Sequence, residues 1–267
     1  MFRKLSLAFA ATIILSAWAA CSPALAIFGG HPVSDKDLIA RSVVLISFVN
    51  QEGQTAICSG VLVQPRIVVT AAHCTVGDMA SMSVRFGAQA NMADADHVRS
   101  VVAIKRPDHW DESKAIETPR YFYDIALLKL SADAPAGSYE MQLVDKNVDH
   151  SGIKEVMIAG FGAAASDGGA GTADVDYHLK EAKVRVIGFD DSGMQLDSSS
   201  GAGACLGDSG GPAFAPNGRN FVLIGTLVDV GEESGPNVCI FAANYTDTTY
   251  WVDWVEGNSF TLMQNLL

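Results

Sequence analysis

Positive charge is scarce in this sequence. Lys and Arg number 18 against 30 Asp and Glu, a formal net charge of −12 over 267 residues. A surface of that sign repels phosphate backbones and anionic headgroups, so neither nucleic acid nor an acidic membrane surface is expected as a partner. Long apolar runs are nearly missing as well: after Leu5–Ala20 no stretch approaches the ~20 residues of a membrane-spanning helix. No Cys-x-x-Cys or His-Glu-x-x-His spacing occurs, and Asp94 with Asp96 are too few carboxylates for a calcium loop, so no metal and no other cofactor is expected. There is no internal repeat, and no histidine follows His178.

What is present begins with an export signal. Arg3 and Lys4 precede the apolar run, and Ala24-Leu25-Ala26 is a small-x-small cleavage site, so the mature chain is expected to start at Ile27 in a secreted or periplasmic location, with no membrane contact once residues 1–26 are gone. Their removal takes two positive charges and Cys21 with it. The four remaining cysteines, in an oxidising compartment, are expected as disulfides rather than free thiols.

Residues 27–267 suffice for one large domain or two small ones. Short β-rich runs dominate: Ser42–Val49, Ile57–Val63, Ile67–Thr70, Val98–Ile104, Ile125–Leu130, Glu155–Ala159, Leu179–Ile187 and Phe221–Val230. Gly, Asp, Asn or Pro separates most of them, which predicts an all-β barrel or sandwich. Only the tail from Tyr250, with Trp251, Trp254 and Val255 at one-turn spacing, reads as helix. Ser131–Tyr139 is the expected linker between a first half at 27–139 and a second at 140–267; Ala163–Asp176 and Asp190–Gly203 read as loops.

Chemistry is concentrated in three segments: Thr70-Ala71-Ala72-His73-Cys74, Asp124-Ile125-Ala126-Leu127-Leu128, and Cys205-Leu206-Gly207-Asp208-Ser209-Gly210-Gly211-Pro212. A serine hydroxyl is a weak nucleophile unless an imidazole takes its proton, and the imidazole needs a carboxylate to set its tautomer. Ser209, His73 and Asp124 supply the set. Their order excludes the α/β-hydrolase arrangement, which places its acid and histidine after the serine, and the subtilisin order, which needs an aspartate before the histidine, where Asp35 and Asp37 lack a supporting motif. Asp124 also stands beside an apolar run, where an unpartnered carboxylate would be costly.

With Ile27-Phe28-Gly29-Gly30, Cys58-Ser59-Gly60-Val61-Leu62 and Ile158-Ala159-Gly160-Phe161-Gly162 added in the same order, the chain resembles the chymotrypsin/trypsin-like serine protease family across nearly all of the mature region. The resemblance implies two six-stranded antiparallel Greek-key barrels, the first carrying His73 and Asp124 and the second Ser209, with a short C-terminal helix. It implies disulfides Cys58 to Cys74 and Cys205 to Cys239, an oxyanion hole from the N–H groups of Gly207 and Ser209, and an ion pair between Asp208 and the α-ammonium of Ile27. Such a pair raises the ammonium pKa, so its stabilisation is complete below about 8 and is lost as pH rises through the shifted value.

The position implied for the pocket base is Gly203, beside Ala204; Val228, Val230 and Ala243 align with the walls. No aspartate stands at the base to receive Arg or Lys, so an apolar residue before the scissile bond is expected. The expected activity is a monomeric serine endopeptidase acting on proteins or peptides, with a protein inhibitor as a further class of partner. Two alternatives remain open: a catalytically impaired homologue that binds a partner, and an esterase on the same fold. The residue before Ile27 is Ala26 of the export signal rather than a basic residue, so export itself is expected to create the active N-terminus. Intact mass of the exported protein should correspond to a chain beginning at Ile27; any other start removes this expectation.

Overall fold

The structure, a computed structural model, describes residues 27–90, 94–111, 123–162, 177–191, 193–231, 239 and 242–264. The expected leader and the expected loop at 163–176 lie outside these residues.

Two closed six-stranded antiparallel barrels make up the protein. The first is built from β2 (Val43–Val49), β3 (Thr55–Gln64), β4 (Ile67–Thr70), β5 (Asp78–Arg85), β6 (Val98–Lys105) and β7 (Ala126–Leu130). Their order around the barrel is β2-β3-β4-β7-β6-β5, and pairing of β5 with β2 closes it. The second comprises β8 (Glu155–Gly160), β9 (Lys180–Asp190), β10 (Gly193–Asp197), β11 (Pro212–Asn217), β12 (Asn220–Val230) and β13 (Ala242–Asp247). Its order is β9-β10-β13-β12-β11-β8, closed by β8 against β9, with β1 (His31–Pro32) added along β9.

Period-two burial explains the strands. Along β9, Lys180, Ala182 and Val184 face inward while Lys183 and Arg185 face solvent. β7 and β4 are buried on both faces, which is why they read as nearly continuous apolar runs, interrupted in β7 by the buried Lys129. Five strands escape the eight apolar runs: β1, β5, β10, β11 and β13. β5 is rich in Ser and carries Asp78 and Arg85, and only Met82 and Val84 are buried. β10 lies inside the stretch expected as a loop at 190–203; its pairing with β9 and β13 overrides weak local preference. A short helix, α1 (Leu38–Ser42), also precedes β2, where the tail was expected to be the only helical segment.

Three apolar cores hold the molecule together. One fills the first barrel around Ile46, Leu62, Val68 and Leu128, one fills the second around Ile158, Val184, Leu196 and Tyr245, and the third joins Val61, Val69 and Leu127 to Phe161, Phe214 and Leu223 between the barrels. The segment 131–144 runs along both. Met141 N–H donates to Leu62 O of the first barrel (2.8 Å) and Val144 N–H to Leu223 O of the second (2.9 Å). After β13 the chain turns at Asp247, whose carboxylate accepts the N–H and hydroxyl of Thr249, and continues into α2 (Val252–Gln264). Trp251 packs edge-on against Tyr123 and Trp254, and α2 lies on β7 of the opposite barrel. Among the described residues no helix is long and apolar enough to cross a membrane.

Leu127 is completely buried in the core between the barrels. Leu127→Ala should cost roughly 2–5 kcal/mol of stability, read as a lowered urea midpoint at unchanged slope.

Candidate active site

His73 and Asp124 meet because β4 and β7 are antiparallel neighbours. Thr70, the last residue of β4, pairs with Ala126, the first of β7. The residue two before Ala126 and the turn just after Thr70 therefore emerge at the same barrel end. A single 3-10 turn, Ala72–Thr75, presents His73 with its side chain 31% exposed, while the Asp124 side chain is 6% exposed. Asp124 Oδ1 accepts the His73 backbone N–H at 2.8 Å, and Oδ2 lies 2.7 Å from Nδ1. A carboxylate at Nδ1 requires the proton on that nitrogen, which leaves Nε2 with its lone pair available. Thr246 of the second barrel adds a bond from its hydroxyl to Asp124 O, 3.1 Å.

The Cys58–Cys74 disulfide ties β3 to this turn. His73 Nε2 stands 3.6 Å from Cys74 Sγ. Ligand atoms of Cys58, His73 and Cys74 cluster within 4.8 Å, but both sulfurs are consumed by the disulfide, so the cluster offers one imidazole nitrogen and no thiolate.

Ser209 comes from the second barrel, on the loop that leads into β11. That loop is fastened to the first barrel by Ser59 N–H donating to Ser209 O at 2.8 Å. Gly210 packs so closely on Thr70 that a Cβ would sit 2.1 Å from the Thr70 hydroxyl. The nucleophile candidate is thus anchored beside the strand that ends three residues before His73. Residues 205–208 form a β-turn closed by Asp208 N–H to Cys205 O at 3.1 Å, with Gly207 at φ +91°. A type II turn requires that sign of φ at its third residue, which glycine adopts without steric cost. The second disulfide, Cys205–Cys239, braces the loop from the other side.

Asp208 is 1% exposed. Its oxygens accept the N–H groups of Gly162 (2.7 Å) and Cys205 (2.8 Å), and the backbone of Ile27, itself buried, lies near enough to favour its charged form. Burial nevertheless drives its pKa up to about 7, against these bonds and the positive charge of Lys180. Gly160 and Gly162 make room for it: a Cβ at 160 would lie 2.2 Å from Asp208 Oδ1, and one at 162 would lie 2.5 Å from Asp208 N. Sequence reasoning used these glycines only as part of a motif and did not single out Lys180 at all.

Of the expected pocket residues, Ala204 and Ala243 belong to the core of the second barrel and Val230 packs against it. Val230 pairs with Ala243, and Ala243 pairs with Leu196 across the other edge of β13. Ala204 and Ala243 are buried, Val228 nearly so. Gly203 N–H donates to Phe28 O at 2.9 Å, and a side chain there would run into Ser198, whose hydroxyl would be 2.2 Å from the Cβ. Ser198, which sequence reasoning missed, therefore fills the direction a basal acid would take. Asp229 is held by Asn244 Nδ2 at 2.7 Å; Glu232 and Glu233 lie outside the described residues. Leu206, half exposed, adds an apolar side chain beside Gly207.

Comparison with known proteins bears on the family and the fold. A family model described as Trypsin matches residues 27–255. The chain is 26% identical over 254 residues to transmembrane protease serine 11E of Mus musculus, with 87% of this chain and 54% of that protein aligned. It is 27% identical over 242 residues to phenoloxidase-activating enzyme 1 of Spodoptera litura, covering 80% and 62%. A trypsin of Saccharopolyspora erythraea is 30% identical over 189 residues, covering 64% and 76%. The chain thus spans between about half and two thirds of the length of the first two relatives. Among solved structures, GrC matches with a TM-score of 0.69 at 22% identity, covering 88% of this chain and 100% of that one. A scabies mite inactivated protease paralogue matches with a TM-score of 0.67 at 18% identity, covering 87% and 99%. At such identities the structural likeness concerns the fold alone, and it extends to a protein described as inactivated.

The environment of Asp208 has a measurable consequence in the chain still joined to residue 26. Its pKa is raised from an ordinary 3.8 to about 7, so the folded state holds the proton more tightly than the unfolded state. Stability is therefore unpenalised below the ordinary value and declines as pH rises towards about 7. Urea unfolding of the uncleaved chain should show that decline, and Asp208→Asn should flatten it; an unchanged slope in the variant would assign the decline to other groups.

Proposed function

The chain belongs to the trypsin family, and from that premise we propose that it is an exported serine endopeptidase working through an acyl-enzyme. The observation that carries the proposal is the pair of bonds from His73 to the buried Asp124, at the end of the barrel where the Ser209 loop is pinned to Ser59 and Thr70.

In this reading, Nε2 of His73 comes within hydrogen-bond reach of Ser209 Oγ, about 2.6–3.2 Å, once substrate is bound. It takes the hydroxyl proton as Oγ attacks the scissile carbonyl carbon. The negative charge that moves to the carbonyl oxygen is met by the N–H groups of Gly207 and Ser209, oriented by the turn at 205–208. Asp124 stabilises the imidazolium. His73 then gives the proton to the leaving amine, the C–N bond breaks, and an ester to Ser209 remains. Water repeats the sequence: His73 takes its proton, hydroxide attacks the ester, and the proton returns to Ser209 Oγ as the acid product leaves.

Pocket composition supports an apolar residue before the scissile bond, since Val228, Val230, Ala204 and Ala243 offer no charge and Ser198 occupies the space behind Gly203. Export and removal of residues 1–26 would free Ile27. Its backbone supports that step: φ is +44°, a region costly for a β-branched residue, and cleavage of the bond to residue 26 removes the torsion altogether. The nitrogen of Ile27, which lies near Asp208, would become an ammonium beside a carboxylate whose charged form burial disfavours.

Fluorophosphonate labelling with intact-mass analysis tests the proposal. One adduct is expected, on Ser209, in a chain beginning at Ile27. Ser209→Ala or His73→Ala should lower turnover of a protein substrate on the order of 10⁶-fold while the fold is retained. A folded, correctly processed chain that takes no label would instead be a partner-binding homologue, and one that takes label and cleaves esters but no peptides would be an esterase.

A further inference from the structure

A second concavity lies away from the His73 turn. That turn follows Thr70 at one end of β4, whereas Ile67 at the other end pairs with Gln64. Gln64 lines a groove of about 970 Å³ whose other walls are the segment 140–148, the end of β11 and α2. The floor is apolar, formed by the buried Val144, Val222, Val252 and Val255.

The rim of this groove is acidic. Glu140 and Asp145 on one wall and Asp253 and Glu256 on α2 are all exposed. The one cation among the lining residues, Lys146, is already held by both oxygens of Asp253 at 2.8 and 2.9 Å. The surplus of negative charge favours a cationic ligand.

Beside the rim lies an unused strand edge. Leu143 forms a parallel bridge with Leu223 of β12: Leu223 N–H donates to Gln142 O at 2.8 Å and Val144 N–H to Leu223 O at 2.9 Å. Backbone groups of successive residues in an extended chain point to opposite edges, so those of Leu143 point away from β12, to the side on which Met141 N–H meets Leu62 O of β3. β3 ends at Gln64, and the N–H and C=O of Leu143 meet no protein partner among the described residues. An edge of this kind is a template for a further strand. Ser259 of α2 adds an independent sign of a ligand: it lines the groove, is fully buried, and its hydroxyl has no hydrogen-bond partner.

We propose that the groove takes an extended, cationic and apolar segment of a second protein, which adds as a strand along Leu143. Side chains of such a segment alternate, so apolar residues settle on the valine floor while Lys or Arg residues reach the acidic rim. The groove and the His73 turn lie at opposite ends of β4, so the segment is held without filling the cleft. The inference is independent of the catalytic reading of Ser209.

The test is fluorescence anisotropy of a labelled Lys-Val-Lys-Val-Lys peptide with the Ser209→Ala chain beginning at Ile27, so that the peptide stays intact. Binding should be saturable and weakened by salt, and Glu-Val-Glu-Val-Glu should not bind. Glu140→Lys with Glu256→Lys should weaken binding at least about 10-fold, since both charges at the rim are reversed; Glu140→Gln with Glu256→Gln serves if that pair does not fold. N-methylation of one alternate set of peptide N–H groups should weaken binding by a similar factor and methylation of the other set should not, a difference that charge attraction alone does not produce. Absence of saturable binding would overturn the inference, as would binding unaffected by the rim substitutions, which places the peptide elsewhere. Equal affinity of the two methylated peptides would also overturn it, leaving electrostatic adsorption without strand addition.

Discussion

The buried carboxylate of Asp208 is the constraint around which the site is organised. It sits one residue before Ser209, nearly inaccessible to water, and accepts N–H groups from Gly162 and Cys205, with the backbone of Ile27 close by. The two bonds fix different parts of the chain, the segment just after β8 and the start of the turn at 205–208. Because the acid cannot be left without partners at acceptable cost, these segments must converge. The turn that results holds Gly207 at φ +91°, where glycine is tolerated without strain. The conformation of the residues just before Ser209 is therefore tied to how the neighbouring buried carboxylate is satisfied.

The two barrels contribute in different ways. The first supplies an imidazole already oriented, because β4 and β7 emerge side by side and the His73 turn is locked by Asp124 and by the disulfide to Cys58. The second supplies a loop whose conformation depends on long-range bonds. Contacts across the junction, from Ser59, Thr70 and Thr246, set the loop against the base, and the apolar core between the barrels keeps that alignment rigid.

The motifs around His73, Asp124 and Ser209 were legible because each is a short local pattern in an unusual context. Eight strands were legible because unbroken apolar runs mark strands buried on both faces or a strong inward face. β5 and β10 were not, since Ser, Asp, Gln and Gly weaken the local signal and only the neighbouring strands make these segments extended. Lys180 was hidden for a related reason. In the sequence it is one lysine in an alternating strand; its significance comes from the register that sets it opposite Gly160. Ser198 escaped in the same way, since nothing local connects it to the open side of Gly203.

By itself the sequence determined the chemical vocabulary of this protein: a serine, a histidine and an aspartate in a discriminating order, four cysteines after residue 26, an all-β pattern and the absence of an acid at the expected pocket base. These are matters of residue identity and short-range spacing. Tertiary structure decided which buried charges share a space, which glycines are required by close approach, and what fills the space behind Gly203. The physical reason is that burial and electrostatic pairing are set by strand register and barrel closure, which bring together residues as far apart as Ile27, Gly160, Lys180 and Asp208. No local pattern encodes that convergence.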